Sequence, residues 1–401
     1  MKPLEGYTVI DLTTFVAAPV CARLLGEFGA RVIKIESPKG DGWRRTGAGF
    51  VPSRFNDVEN PIFDIYNSGK DMISLNLKSE EGLKIMHQLL AKADVFITNN
   101  RPAALERLGL HYDQLKEKYP RLIYGIVTGY GEKGPDANKQ AYDTTAFWSR
   151  SGFLRDTAVV GENEYYPVEA PSGVGDSYTG TNLAMQVLAA ALQRHHTGKG
   201  QYISSSLYHV GAFAMGTMTI KAQRPFGAAM PCTRWGYRPV SGAFECADGE
   251  WVYLASGVPT LDVVAAAGME DVKNDPMWLP ENLEKTKKER YLAMKAAFLT
   301  KTREEWMEFL SAYDTPSVRL AKFADVSEDE QAWANNFVER VEYPTGNSNV
   351  IPTAPIVMSD LELRGTQITR RLGQDTEKVL SELGYTQEQI ETMAADGIVI
   401  K

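Results

Sequence analysis

Residues 8–127 alternate between short apolar runs with strand spacing and longer runs with helical spacing. The first three are the short apolar strand Thr8–Leu12, a helical pattern over Pro19–Phe28, and a second strand, Val32–Glu36. Gly29 directly follows the helical pattern, and glycine commonly ends a helix. This alternation predicts a parallel sheet covered by helices, an α/β fold of the Rossmann type. Further elements of the same kind are predicted at 72–77, 80–93 (opened by Ser79), 95–97 and 122–127.

The alternating pattern stops after Gly198. Glycine, proline and aromatic residues crowd 225–242, Gly249–Leu254 has the pattern of a hairpin strand, and helical patterns follow at 284–299 and 303–313. A chain of 401 residues is also too long for one ordinary core. The sequence therefore predicts a large Rossmann-like domain over 1–222, a smaller α+β domain over 223–325, and a segment 326–401 that returns to the large domain.

Composition narrows the function classes. Hydrophobic residues make up 43% and charged residues 23% of the chain, and no apolar run approaches the roughly 20 residues that span a bilayer. The net charge is −8 with no local basic patch, so neither a membrane nor a nucleic acid is an expected partner. The segment Met1–Glu5 has no apolar stretch behind its lysine, and a cytoplasmic location is expected.

The three cysteines are widely separated, at Cys21, Cys232 and Cys246, with no CxxC pair and no nearby histidine cluster. This spacing indicates neither a disulfide framework nor a metal site.

The segment Gly173–Gly180 carries the strongest local signal for chemistry. It contains three glycines and precedes a helical pattern, so Asp176 or Ser177 should lie at a helix N-terminus. Either residue type is also a common helix cap, which is the plainer interpretation. The glycines favour a functional carboxylate, since they permit close approach of a ligand to the backbone.

Gly175-Asp176-Ser177 also imitates the nucleophile motif of GDS-type esterases. A serine nucleophile needs a partner base, and the nearest histidines, His195 and His196, lie about 28 Å further along the same predicted helix. An esterase stays open as an alternative, although these histidines lie too far from Ser177 to serve as its base.

Several ordered sequence motifs are distributed along most of the chain. They are Leu4–Gly6 with Val9–Leu12, Ala18-Pro19, Leu25–Ala30 with Val32–Glu36, Asn76–Lys78 with Gly82, Gly129–Pro135, Gly175-Asp176, and Arg194 with Thr197–Gln201 and Ser206-Leu207. Together they resemble the motifs of the class III CoA-transferases, and the resemblance runs nearly from end to end. Within this family, 329–335 and 343–347 are most similar to the branch that acts on 2-hydroxy acids such as phenyllactate and 2-hydroxyisocaproate.

The resemblance assigns roles to individual residues. Asp176 matches the nucleophilic aspartate, with Tyr142, Gly175 and Ser177 as supporting residues. The positions that meet the CoA phosphates, adenine or ribose are Lys78, Asn99, Arg107 and Lys139. The resemblance also implies an interlocked homodimer.

The implied reaction moves CoA from an acyl-CoA to a carboxylic acid, with CoA as a substrate moiety and no metal or permanently bound cofactor. An aspartate with an unperturbed pKa of about 3.9 is ionised at pH 7 and can attack a thioester carbonyl. The resulting mixed anhydride would give an aspartyl-CoA thioester at Asp176. Backbone N–H groups near Gly175 and Ser177 are expected to stabilise the oxyanions.

Two further alternatives stay open. The family also contains α-methylacyl-CoA racemases, which use a histidine at the position where this chain has Tyr142, and a tyrosine is a poor proton acceptor at neutral pH. A non-catalytic CoA-binding protein would have no need of Asp176. The aromatic residues of 147–148 and 235–237 are candidates for an aryl pocket, although core packing is the commoner fate of such residues.

Overall fold

A computed structural model describes residues 1–45, 58–158, 167–224, 226–227, 230, 233–237 and 239–401. These residues form two compact units. Unit 1 contains Met1–Phe153, Ala170–Ile220 and Asp329–Lys401, and unit 2 contains Leu154–Glu169 and Lys221–Glu328. The domain boundaries drawn from the sequence, at 222 and 325, stay a prediction.

Unit 1 is built on a six-stranded sheet. Its strands are β1 Thr8–Leu12, β2 Arg31–Glu36, β3 Asp71–Ser74, β4 Val95–Thr98, β5 Ile123–Thr128 and β6 Tyr202–Ser206. They lie in the order β3-β2-β1-β4-β5-β6, and every neighbouring pair of strands is parallel. In the centre, Val9 lies opposite Val32 on one side and Val95 on the other. The prediction of a parallel, helix-covered sheet is confirmed.

Successive strand residues point to opposite faces of the sheet, and each face has its own apolar core. Val9 and Val32 pack in one core, whereas their neighbours Ile10 and Ile33 pack in the other. The first core includes helices Ala17–Glu27 and Val174–Thr197, and the second includes Glu80–Lys92, Thr376–Glu382 and Gln387–Ala395. Other helices of unit 1 are Pro61–Asn67, Pro102–Leu108, Tyr112–Leu115, Leu207–Ala214 and Glu330–Ala334, with a π-helix at Thr144–Ser149.

Local capping follows the sequence pattern. The helix predicted at 80–93 is Glu80–Lys92, and the Ser79 hydroxyl accepts the Gly82 N–H at 3.1 Å. The helix predicted at 19–28 is Ala17–Glu27, and Gly29 takes a φ of 105° just beyond it. The sixth strand, β6, was not predicted.

The segment after residue 370 closes the outer edge of β3. The Asp375 N–H donates to the Met72 carbonyl at 2.9 Å, and the Met72 N–H donates to the Asp375 carboxylate at 2.8 Å. Further along, the Ser74 N–H donates to the Thr376 hydroxyl at 3.1 Å. The hairpin of β10 Val338–Glu342 and β11 Ser348–Pro352 also belongs to unit 1.

Unit 2 contains a three-stranded antiparallel sheet whose strands are β7 Gly242–Glu245, β8 Trp251–Leu254 and β9 Ser317–Arg319. They lie in the order β7-β8-β9. The predicted hairpin strand at 249–254 contains β8. Phe244, Val252, Phe298 and Trp306 are all buried in the core of this unit. Its longer helices are Thr260–Ala266, Lys287–Phe298 and Arg303–Leu310.

Within the described ranges, no helix is both long enough and apolar enough to cross a membrane. Cys21 and Cys246 are buried free thiols, and Cys232 lies outside the described residues. Phe147 and Trp148 are buried, as core packing predicts. The Tyr237 side chain lies outside what the structure describes.

Candidate active site

The glycines around Asp176 have identifiable packing reasons. Gly173 precedes helix Val174–Thr197 with a φ of 87°, a left-handed conformation that glycine adopts without steric cost. A Cβ atom on Gly175 would lie 2.5 Å from the Phe147 ring, so only glycine fits there. Asp176 is therefore the third residue of a helix whose start is packed directly against the π-helix.

The helix-cap interpretation of Asp176 is wrong. The capping position is Gly173, which has no side chain to make a capping hydrogen bond, and its own N–H donates to the Asp143 carboxylate at 2.8 Å. The carboxylate in the first turn still lies in the favourable field of the helix N-terminus. Its place in the structure is not explained by capping, which strengthens the functional interpretation.

Asp176 faces a cleft of about 560 Å³ in unit 1. The cleft lies at the carboxyl ends of the parallel strands, beyond β1, β4 and β5. The strand order reverses between β1 and β4, and ligands of open α/β sheets bind at such a reversal. The lining residues fall in five groups: 14–17 with Trp43, 99–102, 127–129 with Leu207, 137 and 139–144, and Ser172 with Asp176.

The electrostatic setting of Asp176 departs from the unperturbed carboxylate assumed from the sequence. Burial and the nearby Asp143 carboxylate together raise the pKa of Asp176 to about 7, and burial is the larger cause. Asp143 is only 3% exposed and accepts the Gly173 N–H at 2.8 Å. Two carboxylates therefore share one poorly solvated site, and Asp176 is about half ionised near neutral pH.

This shift predicts a pH profile. The family resemblance makes Asp176 the expected nucleophile, which must be ionised to react, so transfer activity should fall about tenfold per pH unit below about 7 and level off above it. Asp143→Asn removes the like charge while keeping an oxygen that can accept the Gly173 N–H, so the acid limb should move to lower pH. The measurement is kcat/KM between pH 5 and 9 for both proteins. An unchanged acid limb in Asp143→Asn would contradict the coupling.

Three of the predicted site residues join Asp176 in the cleft, namely Asn99, Lys139 and Tyr142. The Asn99 side-chain amide is held by the Thr14 backbone, since its oxygen accepts the N–H at 3.0 Å and its nitrogen donates to the carbonyl at 2.7 Å. The Lys139 ammonium is largely exposed, 3.9 Å from the Asp136 carboxylate.

Lys78 and Arg107 are exposed and do not line this cleft. Lys78 lies in the turn between β3 and helix Glu80–Lys92, and Arg107 lies near the end of helix Pro102–Leu108. Their role in binding CoA stays a prediction.

The structure also bears on the expectation that backbone N–H groups near Gly175 and Ser177 stabilise oxyanions. The Ser177 N–H already donates to the Gly173 carbonyl at 2.9 Å, as the first turn of the helix requires. Burial raises the pKa of the Tyr66 hydroxyl, and the neighbouring Ser177 hydroxyl opposes that rise. Gly175 allows the helix start to pack directly against the Phe147 side chain.

The described lining of the cleft contains no histidine. His195 and His196 are exposed at the far end of helix Val174–Thr197. A serine hydrolase would need a base beside Ser177, and a racemase of the histidine type would need one beside Asp176. Tyr142 is half exposed in the cleft, and the family resemblance places the histidine of the racemases at this position. The cleft therefore favours carboxylate chemistry over either alternative.

Sequence reasoning missed Asp143, Phe15 and Trp43. Asp143 directly follows Tyr142 in the chain, but its importance depends on a contact with Gly173, 30 residues later. Phe15 and Trp43 line the cleft with ring centroids 6.2 Å apart. Nothing in the sequence around Phe15 and Trp43 indicates that these aromatic side chains line a cleft and are not part of the core.

Comparison with known proteins agrees with this geometry. Residues 4–376 match the family described as CoA-transferase family III. The chain is 37% identical over 404 residues to the (R)-2-hydroxy-4-methylpentanoate CoA-transferase of Clostridioides difficile, with 99% of each chain covered.

The chain belongs to CoA-transferase family III.

A second family relative is the cinnamoyl-CoA:phenyllactate CoA-transferase of Clostridium sporogenes, 36% identical over 404 residues with 98% of this chain and 96% of the relative covered. The fold is similar to that of a CAIB/BAIF family protein from Brucella suis, with a TM-score of 0.80 and 25% identity. That similarity covers 95% of this chain and 99% of the other. The resemblance stated from the motifs is confirmed, and the protein is a family III CoA-transferase.

Proposed function

We propose that this CoA-transferase moves CoA between an acyl-CoA and a 2-hydroxy carboxylic acid through a thioester on Asp176. The observation that carries the proposal is the placement of Asp176, a poorly solvated carboxylate at a helix N-terminus, in a cleft at the strand-order reversal. The class of acid comes from the two relatives, whose names specify (R)-2-hydroxy-4-methylpentanoate and phenyllactate.

The first step is attack of the Asp176 carboxylate on the thioester carbonyl carbon. A C–O bond forms, the C–S bond breaks, and CoA leaves as a thiolate, so the enzyme holds a mixed anhydride. The thiolate then attacks the aspartyl carbonyl carbon, and the first acid leaves as a carboxylate. The incoming acid takes CoA by the same two steps in reverse, and thioester energy is conserved.

The raised pKa of Asp176 suits this reaction. A carboxylate that is poorly solvated and more basic is a stronger nucleophile than one in water. Charge leaves the aspartate when the anhydride forms, which relieves repulsion with Asp143. The same environment that hinders ionisation therefore favours the bond-forming step.

We further propose that Lys78, Asn99, Arg107 and Lys139 contact the CoA nucleotide. Asn99 and Lys139 line the cleft, and the exposed ends of Lys78 and Arg107 suit phosphates outside it. The homodimer implied by the family resemblance and the cytoplasmic location expected from the N-terminal segment belong to the same proposal.

The experiment that tests the mechanism is trapping of the aspartyl thioester. Given an acyl-CoA donor and no acceptor acid, the enzyme should carry CoA on residue 176. Borohydride should reduce that thioester to an alcohol, and hydroxylamine should convert it to a hydroxamate, each with its own mass change on one peptide. A serine nucleophile would instead hold the acyl group.

Asp176→Asn is the matched control and should take no label, whereas Ser177→Ala should still be labelled. A label on Ser177, or transfer without any adduct, would refute the mechanism.

A further inference from the structure

Phe15 has an unusual backbone conformation for its residue type. It follows β1 at the cleft edge with a φ of 64°, in the left-handed region that bulky side chains rarely occupy. Such a conformation persists only where the surrounding structure fixes it. Its ring meets the Tyr142 ring edge-on with centroids 5.7 Å apart.

One buried carboxylate holds this conformation. The Oδ1 atom of Asp41 accepts the N–H of Phe15 at 3.1 Å and the N–H of Trp43 at 2.9 Å. Asp41 is 1% exposed, and both of its backbone partners carry aromatic rings that line the cleft. Two separate segments of the cleft wall are therefore tied to the same oxygen.

Asp41 is in turn fixed by buried cations. Its Oδ2 atom lies 3.0 Å from the Lys34 ammonium, which also donates to the Thr13 carbonyl at 2.9 Å. Across the described residues, this buried network balances three carboxylates against three cations. Its members are Asp11, Glu36, Asp41, Lys34, Lys70 and Arg44.

The Phe15 ring rests on the same loop. A Cβ atom on Gly42 would lie 3.2 Å from the tip of that ring, so a larger residue there would push the ring aside by a few tenths of an ångström. Trp43 continues the aromatic wall toward Tyr66, with ring centroids 6.4 Å apart. The Tyr66 hydroxyl oxygen lies 3.2 Å from the Cβ position of Gly173, at the start of the Asp176 helix.

We propose that Asp41 is a positioning residue that holds Phe15 and Trp43 as the acyl wall of the cleft. This wall gives the enzyme a preference for carboxylic acids with a large apolar or aromatic side chain over small ones. The inference rests on the proposed function, since it concerns the acid that receives CoA. Rings fixed by a charge-balanced network are preorganised, so the preference depends on Asp41 although Asp41 touches no substrate.

The test is the ratio of kcat/KM for phenyllactate to kcat/KM for lactate, with cinnamoyl-CoA as the common donor. Phe15→Ala should lower this ratio about tenfold or more, since it removes one of the two aromatic rings of the proposed acyl wall. Asp41→Asn should lower it similarly. The double variant should lower it no further, because both changes act on one wall.

Gly42→Ala gives a second, charge-neutral route to the same displacement and should also lower the ratio, even if Asp41→Asn folds poorly. Equal loss of activity toward both acids in Asp41→Asn, with an unchanged ratio in Gly42→Ala, would overturn the positioning role. So would an effect of Asp41→Asn that adds fully to that of Phe15→Ala. Failure of the proposed function is distinct, since the wild-type enzyme would then form no adduct at residue 176 and transfer CoA to neither acid.

Discussion

Asp176→Ala should lower the rate of CoA transfer by at least about a thousandfold. Removal of a covalent nucleophile leaves only binding and orientation to act on the reaction, and losses of this size or larger are usual for such residues. The measurement is kcat with saturating acyl-CoA and acid. Activity near that of the wild type would remove Asp176 from the mechanism.

A matched variant shows that the loss is chemical and not structural. Asp176→Asn keeps the shape of the side chain but cannot ionise. The folded pKa of about 7 lies above the unfolded value of about 3.9, so the wild type loses stability as pH rises through that interval. At pH 8, Asp176→Asn should therefore need more urea to unfold than the wild type, and the difference should shrink toward pH 4.

Lys70→Met should destabilise unit 1 by about 3–5 kcal/mol, the usual cost of leaving one partner of a buried ion pair unpaired. The Lys70 ammonium lies 2.8 Å from the Asp11 carboxylate, and both side chains are almost fully buried. It also donates to the Pro19 carbonyl at 3.0 Å and to the Asn67 side chain at 2.9 Å. The measurement is the free energy of unfolding from urea titration followed by circular dichroism.

The double variant Asp11→Asn with Lys70→Met removes both charges and should recover part of the lost stability. Lys116→Met, which breaks the exposed pair with Asp113, should leave the unfolding curve unchanged. Equal destabilisation by the single and double variants would show that the charge of Asp11 contributes nothing to the loss.

The strands and helices of the sheet were predictable where each element carries its own signal. The strand Arg31–Glu36 places Val32 in one core and Ile33 and Ile35 in the other, because both faces of the sheet are buried. Ser79 marks a helix start by its own chemistry. Strand β6, Tyr202–Ser206, was missed because three of its five residues are serine and its place is at the sheet edge. Its pairing with β5 is a tertiary interaction that its composition does not encode.

In the candidate site, too, features with a local sequence signal were predictable, and features that depend on tertiary contacts were not. Asp176 could be singled out because glycines and a helix start surround it and because Gly175-Asp176 matches a motif of the class III CoA-transferases. The raised pKa of Asp176 could not be predicted, since it depends on burial by distant elements and on the Asp143 carboxylate. The conformation of Phe15 likewise depends on an oxygen of Asp41, 26 residues away in the chain.

The hydrogen bonds between Asp375 and Met72 have a consequence for synthesis of the chain. During translation, β3 emerges about 300 residues before the segment that covers its outer edge. An uncovered strand edge can pair with other chains and begin aggregation. A polypeptide released before residues 375–399 are made should therefore be a substrate for chaperones and proteases, although its cleft residues are already complete.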